Sequence, residues 1–297
     1  MDRKPHHPLA FAALLLGNVA LAFGPWLVRL ADTGPVAAGF WRVTLALPFL
    51  WVVAITVKQK PHWPRRTLVW VIFGAATFYA LDLAAWNAGI RLTKLGNATL
   101  FGNVGSFVLV AWGLWLARRW PRGLQALAII LAVGGAGLLM GSSYELSARH
   151  VRGDLLTLFA GLLYGGYLVL IERVRGELEP LPVLLVATLF AVPPLFIISL
   201  ASGEQLWPRD WTPLLIFALS SQVLGQGLLV YALGTFPPLI VGLALLTQPA
   251  ISALIGWLAY RETLSALDWL GAAAIAAALV LVRLPEKALQ PAAESPS

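Results

Sequence analysis

Long apolar runs alternate with short polar connectors almost from end to end of this chain, and ten of the runs are each about 20 residues long. They cover Leu9–Leu30, Pro35–Val57, Thr67–Ile90, Leu95–Leu116, Gly123–Gly141, Gly153–Val174, Leu181–Ala201, Trp211–Leu233, Pro238–Ala259 and Leu264–Val282. A helix of about 20 apolar residues crosses a ~30 Å hydrocarbon core, so each run predicts a transmembrane helix. Alternating strands of ~10 residues, the mark of a membrane barrel, are absent from the pattern. Connectors as short as Gly234-Thr235-Phe236-Pro237 force consecutive helices to lie antiparallel and adjacent. The predicted fold class is an all-α integral membrane protein with ten transmembrane helices.

The pattern also repeats. Gly113–Ala128 is echoed 143 residues later by Gly256–Gly271: a helix ends, a polar hinge follows at Arg118-Arg119 or Arg261-Glu262, and a new apolar run begins. The repeat divides the chain into residues 1–145 and 146–284, five helices each, and leaves 285–297, rich in Pro, Ala, Glu and Ser, as a disordered tail. Five is odd, so the second set enters the membrane from the opposite side, which makes a 5+5 inverted repeat of the kind found in many secondary transporters. Met1–His7 and Ala20-Leu21-Ala22 together resemble a secretory leader with its cleavage site. The apolar run continues past Ala22, and removing it would leave nine helices, so the first helix is read as retained. Pro25, Pro48, Pro193-Pro194 and Pro249 are expected to interrupt their helices. Gly137-x-x-x-Gly141 and Gly161-x-x-x-Gly165 suit close helix approach.

Composition agrees with the pattern: 59% hydrophobic and 12% charged residues leave too little polar surface for a soluble globule. The net charge of +7 does not point to nucleic acid, because the basic residues sit in connectors rather than on one face. They set topology instead. With both termini cytoplasmic, thirteen Lys and Arg fall on the inner side and seven on the outer, nine against three in the first half and four against four in the second. Cysteine is absent, which excludes disulfides and thiol chemistry.

Ionisable residues inside a membrane are costly and usually functional, which singles out Arg42 and Asp82. At 1.5 Å per residue Arg42 lies ~11 Å, and Asp82 ~8 Å, from the outer face of a ~30 Å core. Two readings fit this shared depth: a buried structural ion pair between adjacent helices, or charges facing a water-filled cavity that receives a zwitterion. Phe78, Tyr79, Asp82 and Trp86 form one stripe on the third helix, suited to cradling an ammonium and an apolar side chain. Thr99, Asn103 and Ser106 share a face of the fourth helix, which also carries Phe101. Tyr164 and Tyr167 on the sixth helix, Gln222 and Gln226 on the eighth, with Asn18 and Gln248, complete a partly polar centre; interhelical hydrogen bonding is the plainer role for each of them. Trp63, Trp120, Trp207 and Trp211 at span ends read as interfacial anchors.

Several chemistries have no support. There is no G-x-x-x-x-G-K-[ST], H-E-x-x-H or G-x-S-x-G motif, and His62 and His150 are isolated. No catalytic residue, metal site or cofactor is expected, and a membrane-embedded enzyme is the remote alternative.

The stretch from Leu246 to Gly271 resembles the EamA family of the drug/metabolite transporter superfamily, with Pro249, Gly256, Glu262, Leu264, Ser265 and Gly271 at the family's positions. Arg42, early in the second helix, fits the same family, and the layout covers the whole chain. The first copy departs from the pattern, with Arg119 at the place of Glu262 and Ser106 at that of Pro249. The resemblance implies an exporter of aromatic and other neutral amino acids, working by alternating access around a central cavity in a bacterial inner membrane. It gives Glu262 a structural role, capping the start of the last helix. The partners implied are an amino acid and the lipid bilayer, with monomer and homodimer both open. So few membrane carboxylates favour facilitated diffusion; the alternative is a multidrug or other metabolite exporter with proton coupling through Asp82.

Overall fold

The computed structural model describes residues 8–59, 64–93, 98, 101–118, 120–121, 123–141, 148–260 and 265–281. Its helices are α1 (Pro8–Ala22), α2 (Gly24–Leu30), α3 (Pro35–Thr56), α4 (Arg66–Leu92), α5 (Val104–Ala117), α6 (Leu124–Gly141), α7 (Ala148–Arg175), α8 (Pro180–Ala201), α9 (Thr212–Phe217), a π-helical stretch over Ala218–Gln226, α10 (Gly227–Thr235), α11 (Pro238–Leu245), α12 (Gln248–Tyr260) and α13 (Ala266–Leu281). No strand occurs among the described residues. Six tracts are long and apolar enough to cross a bilayer: Leu9–Leu30, Pro35–Thr56, Arg66–Leu92, Val151–Arg175, Pro180–Ala201 and Thr212–Thr235. Shorter apolar helices at Val104–Ala117, Leu124–Leu138, Pro238–Ile251 and Ala266–Leu281 lie where the fourth, fifth, ninth and tenth spans were predicted. The leader, the tail, Thr99 and Glu262 lie outside the described residues.

Burial is inverted relative to a soluble protein. Trp51, Trp70, Ile197 and Leu270 are more than half exposed, while Asn18, Arg42, Asp82 and Gln222 are buried. An apolar exterior around a polar centre is what a lipid solvent selects, and the chain is a multi-pass, all-helical membrane protein.

The prolines act in two ways. Pro25 lies in the first turn of α2, just after the break from α1, and Pro249 follows the turn at Leu246-Thr247 that separates α11 from α12. Pro48 and Pro193-Pro194 lie inside α3 and α8, which continue through them. The expected interruption is absent at those sites, because one proline removes a single backbone donor and a helix can bend around it.

Packing between residues 8–141 and 148–281 has an exchange symmetry. α3 packs on α8, α5 on α11 and α6 on α13, each span against its counterpart. Further contacts occur in matched pairs: α4 with α7 answers α1 with the π stretch and α10; α5 with α7 answers α1 with α11 and α12; α4 with α8 answers α3 with the π stretch. Such exchange is the packing expected of two copies of one unit.

Close approaches fix these helices. A Cβ on Gly161 would lie 2.6 Å from the Phe101 carbonyl, and one on Gly165 would lie 2.6 Å from Val108 Cβ, so the Gly161-x-x-x-Gly165 pair seats α7 on the fourth span. On α6 the pressed glycine is Gly135, whose Cβ would lie 2.6 Å from the Gly271 carbonyl. Gly137, expected at a close contact, faces open space; two residues further along a helix it points about 200° away. The connector after α8 folds back over the start of α3. Gly34 N–H donates to the Gln205 carbonyl at 2.9 Å and Ala37 N–H to Glu204 Oε2 at 2.8 Å, so a carbonyl and a carboxylate from the other half each satisfy one donor at the start of α3. α13 is capped locally: Ser265 N–H and Oγ–H both donate to Asp268 Oδ2 at 2.7 Å, and Asp268 N–H returns to Ser265 Oγ at 3.3 Å. The capping role expected of Glu262 lies outside the described residues.

Candidate functional site

At 100° per residue, Tyr79 and Trp86 come within 20° of each other on α4, with Asp82 and Leu83 to either side of them. These four form one wall of a cavity of about 90 Å³. Leu21, Ala22, Gly24 and Pro25 enter where α1 breaks into α2, because the break lets backbone face the cavity. Arg42 comes from α3; Gly102, Asn103 and Ser106 from the start of the fourth span; and Tyr164 from α7. Ser221 and Gln226 come from the π stretch, and Gln248 from the start of α12. A π turn adds a residue to each hydrogen-bonded loop and is found disproportionately at functional sites.

Arg42 is 4% exposed and Asp82 7%, and both face this cavity. The structural ion pair considered between them is not formed. Arg42 Nε donates to Gln222 Oε1 at 3.1 Å, and its guanidinium lies over the Phe217 ring at 4.9 Å and the Tyr79 ring at 5.8 Å. No donor among the described residues lies within hydrogen-bonding distance of the Asp82 carboxylate. Two opposite buried charges therefore share one cavity with their outer atoms open to it. An arginine over aromatic faces keeps its planar fork available for a carboxylate.

A hydrogen-bonded layer stands behind the charges. Gln222 Oε1 also accepts from Tyr79 OH at 2.6 Å, and Gln222 Nε2 donates to Thr188 Oγ1 at 3.0 Å. Gln226 Oε1 accepts from Tyr167 OH at 3.5 Å, and its Nε2 donates to Tyr164 OH at 3.3 Å. The three phenol rings stack, Tyr79 on Tyr167 at 4.7 Å and Tyr167 on Tyr164 at 5.8 Å. Ser221 Oγ is buried without a hydrogen-bond partner.

Of the residues singled out from sequence, Arg42, Tyr79, Asp82, Trp86, Asn103, Ser106, Tyr164, Gln226 and Gln248 line the cavity. Phe78 does not; it is 38% exposed, and its ring fills the space a side chain at Gly166 would occupy. It lies 100° around α4 from Tyr79, and the stripe was drawn one residue too wide. Gln222 stands behind Arg42 rather than on the wall, and Phe101 presents its backbone carbonyl to Gly161. Asn18 serves packing: its Nδ2 donates to the Ala244 carbonyl at 2.7 Å, beside the break between α11 and α12. Gly24, Gly102, Thr188 and Ser221 were missed. Gly102 has a spatial signal only, since a Cβ there would meet Trp86 Nε1 at 2.9 Å. Among the described residues no cluster of His, Asp or Glu could hold a metal ion.

A cavity between two exchange-related halves, walled by broken helices and faced by buried charges, defines a membrane transporter. The sequence pattern of the EamA-like transporter family matches residues 8–141 and again 151–284, both ends displaced by 143 residues. The chain belongs to that family. Similar proteins include the threonine/homoserine exporter RhtA of Escherichia coli K12, 30% identical over 278 residues that cover 91% of this chain and 90% of that protein. RhtA of Salmonella typhimurium LT2 is 28% identical over 278 residues with the same coverage. An uncharacterized transporter of Archaeoglobus fulgidus is 24% identical over 273 residues, covering 88% of this chain and 91% of that one. A solved crystal structure shares the fold at a TM-score of 0.70 and 14% identity, over 93% of this chain and 96% of the other. The 143-residue displacement makes Tyr79 and Gln222 equivalent positions in the two copies, and their side chains are hydrogen-bonded to each other.

Proposed function

We propose that this protein exports neutral amino acids across a bacterial inner membrane by alternating access around the cavity. The observation that carries the reading is the pair of buried, mutually unpaired charges on one cavity. Arg42 meets the α-carboxylate through its open guanidinium nitrogens, and Asp82 meets the α-ammonium, the two groups every amino acid carries. Threonine and homoserine are the first substrates to assay, given what the similar RhtA exporters carry. Tyr79, Tyr164 and Trp86 extend the range toward aromatic side chains. Transport is facilitated diffusion, since Asp82 is the one acid of the cavity among the described residues and the substrate ammonium occupies it.

The topology proposed is ten spans in two inverted sets of five, with both termini cytoplasmic. The cysteine-free sequence makes this directly testable. S202C should react with an impermeant thiol reagent in intact cells and K58C only after permeabilisation; the reverse pattern would overturn the orientation.

Flux into proteoliposomes of labelled threonine, homoserine and phenylalanine tests the substrate. Down-gradient flux of at least one, unaffected by a proton gradient, is expected, and absence of flux for all three would refute the amino acid reading. A second reading rests on the unpartnered Asp82 beside Tyr79 and Trp86, which suits a lipophilic cation exchanged for a proton. Gradient-driven accumulation of such a cation, lost in D82N, would favour it.

A further inference from the structure

We infer that Gln222 is the positioning residue of this site: it holds Arg42 away from Asp82 so that both charges remain open to a zwitterion. This rests on reading the cavity as an amino acid site.

Gln222 is fully buried, and both ends of its amide are engaged. Nε2 donates to Thr188 Oγ1 at 3.0 Å, and Oε1 accepts from Arg42 Nε at 3.1 Å and Tyr79 OH at 2.6 Å. Arg42 Nε can only donate, so the atom facing it must be the oxygen, and the amide has one orientation. That fixes one edge of the guanidinium. Phe217 and Tyr79 hold its faces, at 4.9 Å and 5.8 Å.

A clamp is needed here because of electrostatics. Opposite charges in a low-dielectric site attract strongly, and an arginine finds bidentate geometry with a carboxylate readily. Arg42 is long and Asp82 has no hydrogen-bond partner among the described residues, so an unheld Arg42 would swing onto it. The pair would then occupy each other, and the substrate would have to break it before binding. Gln222 supplies a neutral acceptor in place of the acid. It holds the guanidinium through Nε alone and leaves the two terminal nitrogens without hydrogen bonds among the described residues. A glutamate at this position would hold Arg42 as well but would cancel its charge.

The site places the clamp where it can last. Tyr79 and Gln222 are 143 residues apart, the displacement between the two copies, so the contact joins equivalent positions. When two halves exchange conformations about a two-fold, a contact between equivalent positions is its own image and is kept in both states. Thr188 reaches Gln222 from α8, packed on α3, which carries Arg42.

A double-mutant cycle between Q222L and D82N tests this, read in two ways. In detergent, D82N should leave the Tm of the wild-type background unchanged or raised, because Asp82 has no partner to lose. In the Q222L background D82N should lower Tm by at least about 3 °C, because it breaks the new Arg42–Asp82 pair. In proteoliposomes, Q222L should raise KM for threonine about 10-fold with maximal rate within about 2-fold. The Q222L/D82N double variant should be no worse than D82N alone. Equal Tm shifts from D82N in both backgrounds, or KM factors that multiply, would show that Gln222 acts independently of Asp82 and overturn the proposal. If the wild type carries no amino acid, the substrate reading fails separately, and the Tm cycle still decides whether Gln222 keeps the charges apart.

Discussion

α4 and the tract from α9 through the π stretch to α10 occupy equivalent places in the two copies, yet they bring different chemistry to the cavity. Tyr79 corresponds to Gln222, Asp82 to Gly225, Leu83 to Gln226 and Trp86 to Leu229. The first copy supplies the acid and the indole; the second supplies two amides. Arg42 likewise has no charged counterpart, since α8 contains no ionisable residue. A strictly two-fold cavity would carry each charge twice and offer a zwitterion two opposed orientations. Keeping one arginine and one acid leaves a single direction of charge. The second copy has no room for another acid: a Cβ on Gly225 would already lie 2.9 Å from Leu21 Cγ. Its amides instead hold other side chains in place, Gln222 on Arg42 and Tyr79 of the first copy and Gln226 on Tyr164 and Tyr167 of its own.

If charge is the first copy's contribution and positioning the second's, their substitutions should differ in kind. R42Q and D82N should have the largest effect, each cutting threonine flux about 100-fold in proteoliposomes with the protein still folded, because each removes one pole of the zwitterion site. Flux within a few fold of wild type in either would mean that the charges are structural. Q226L should raise KM about 5-fold by loosening the Tyr164 and Tyr167 rings, with maximal rate nearly unchanged. A loss as deep as that of D82N would erase the distinction between the copies. E204A, which removes a cap joining the halves at the start of α3, should lower Tm by about 3 °C in thermal unfolding while leaving KM alone. A KM change there would tie the connector to the substrate site.

Much of this was legible in the sequence because a bilayer enforces simple rules. Apolar runs of helix length marked the six membrane-length tracts, and the cost of burying charge pointed directly at Arg42 and Asp82. Helical spacing placed Tyr79 and Trp86 beside Asp82. What could not be read depends on contacts between distant segments. Gln222 looked like a wall residue, and only its distances to Thr188, Arg42 and Tyr79 show it standing behind one. Ser221 and Gln226 reach the cavity through a π stretch, which has no reliable sequence signature. The Glu204 cap on α3 joins residues 167 positions apart, and no local pattern announces such a contact.

The central claim is that Arg42 and Asp82 together read the two charged ends of one substrate. Competition against labelled threonine flux by three unlabelled compounds tests it most directly: threonine, its carboxamide, which keeps only the ammonium, and its deaminated acid, which keeps only the carboxylate. In the wild type, threonine should compete at least about 10-fold better than either analogue, the acid should gain on threonine in D82N, and the amide should gain in R42Q. Equal competition by threonine and its carboxamide in the wild type, unchanged in R42Q, would contradict the claim and leave Asp82 as a site for cations alone.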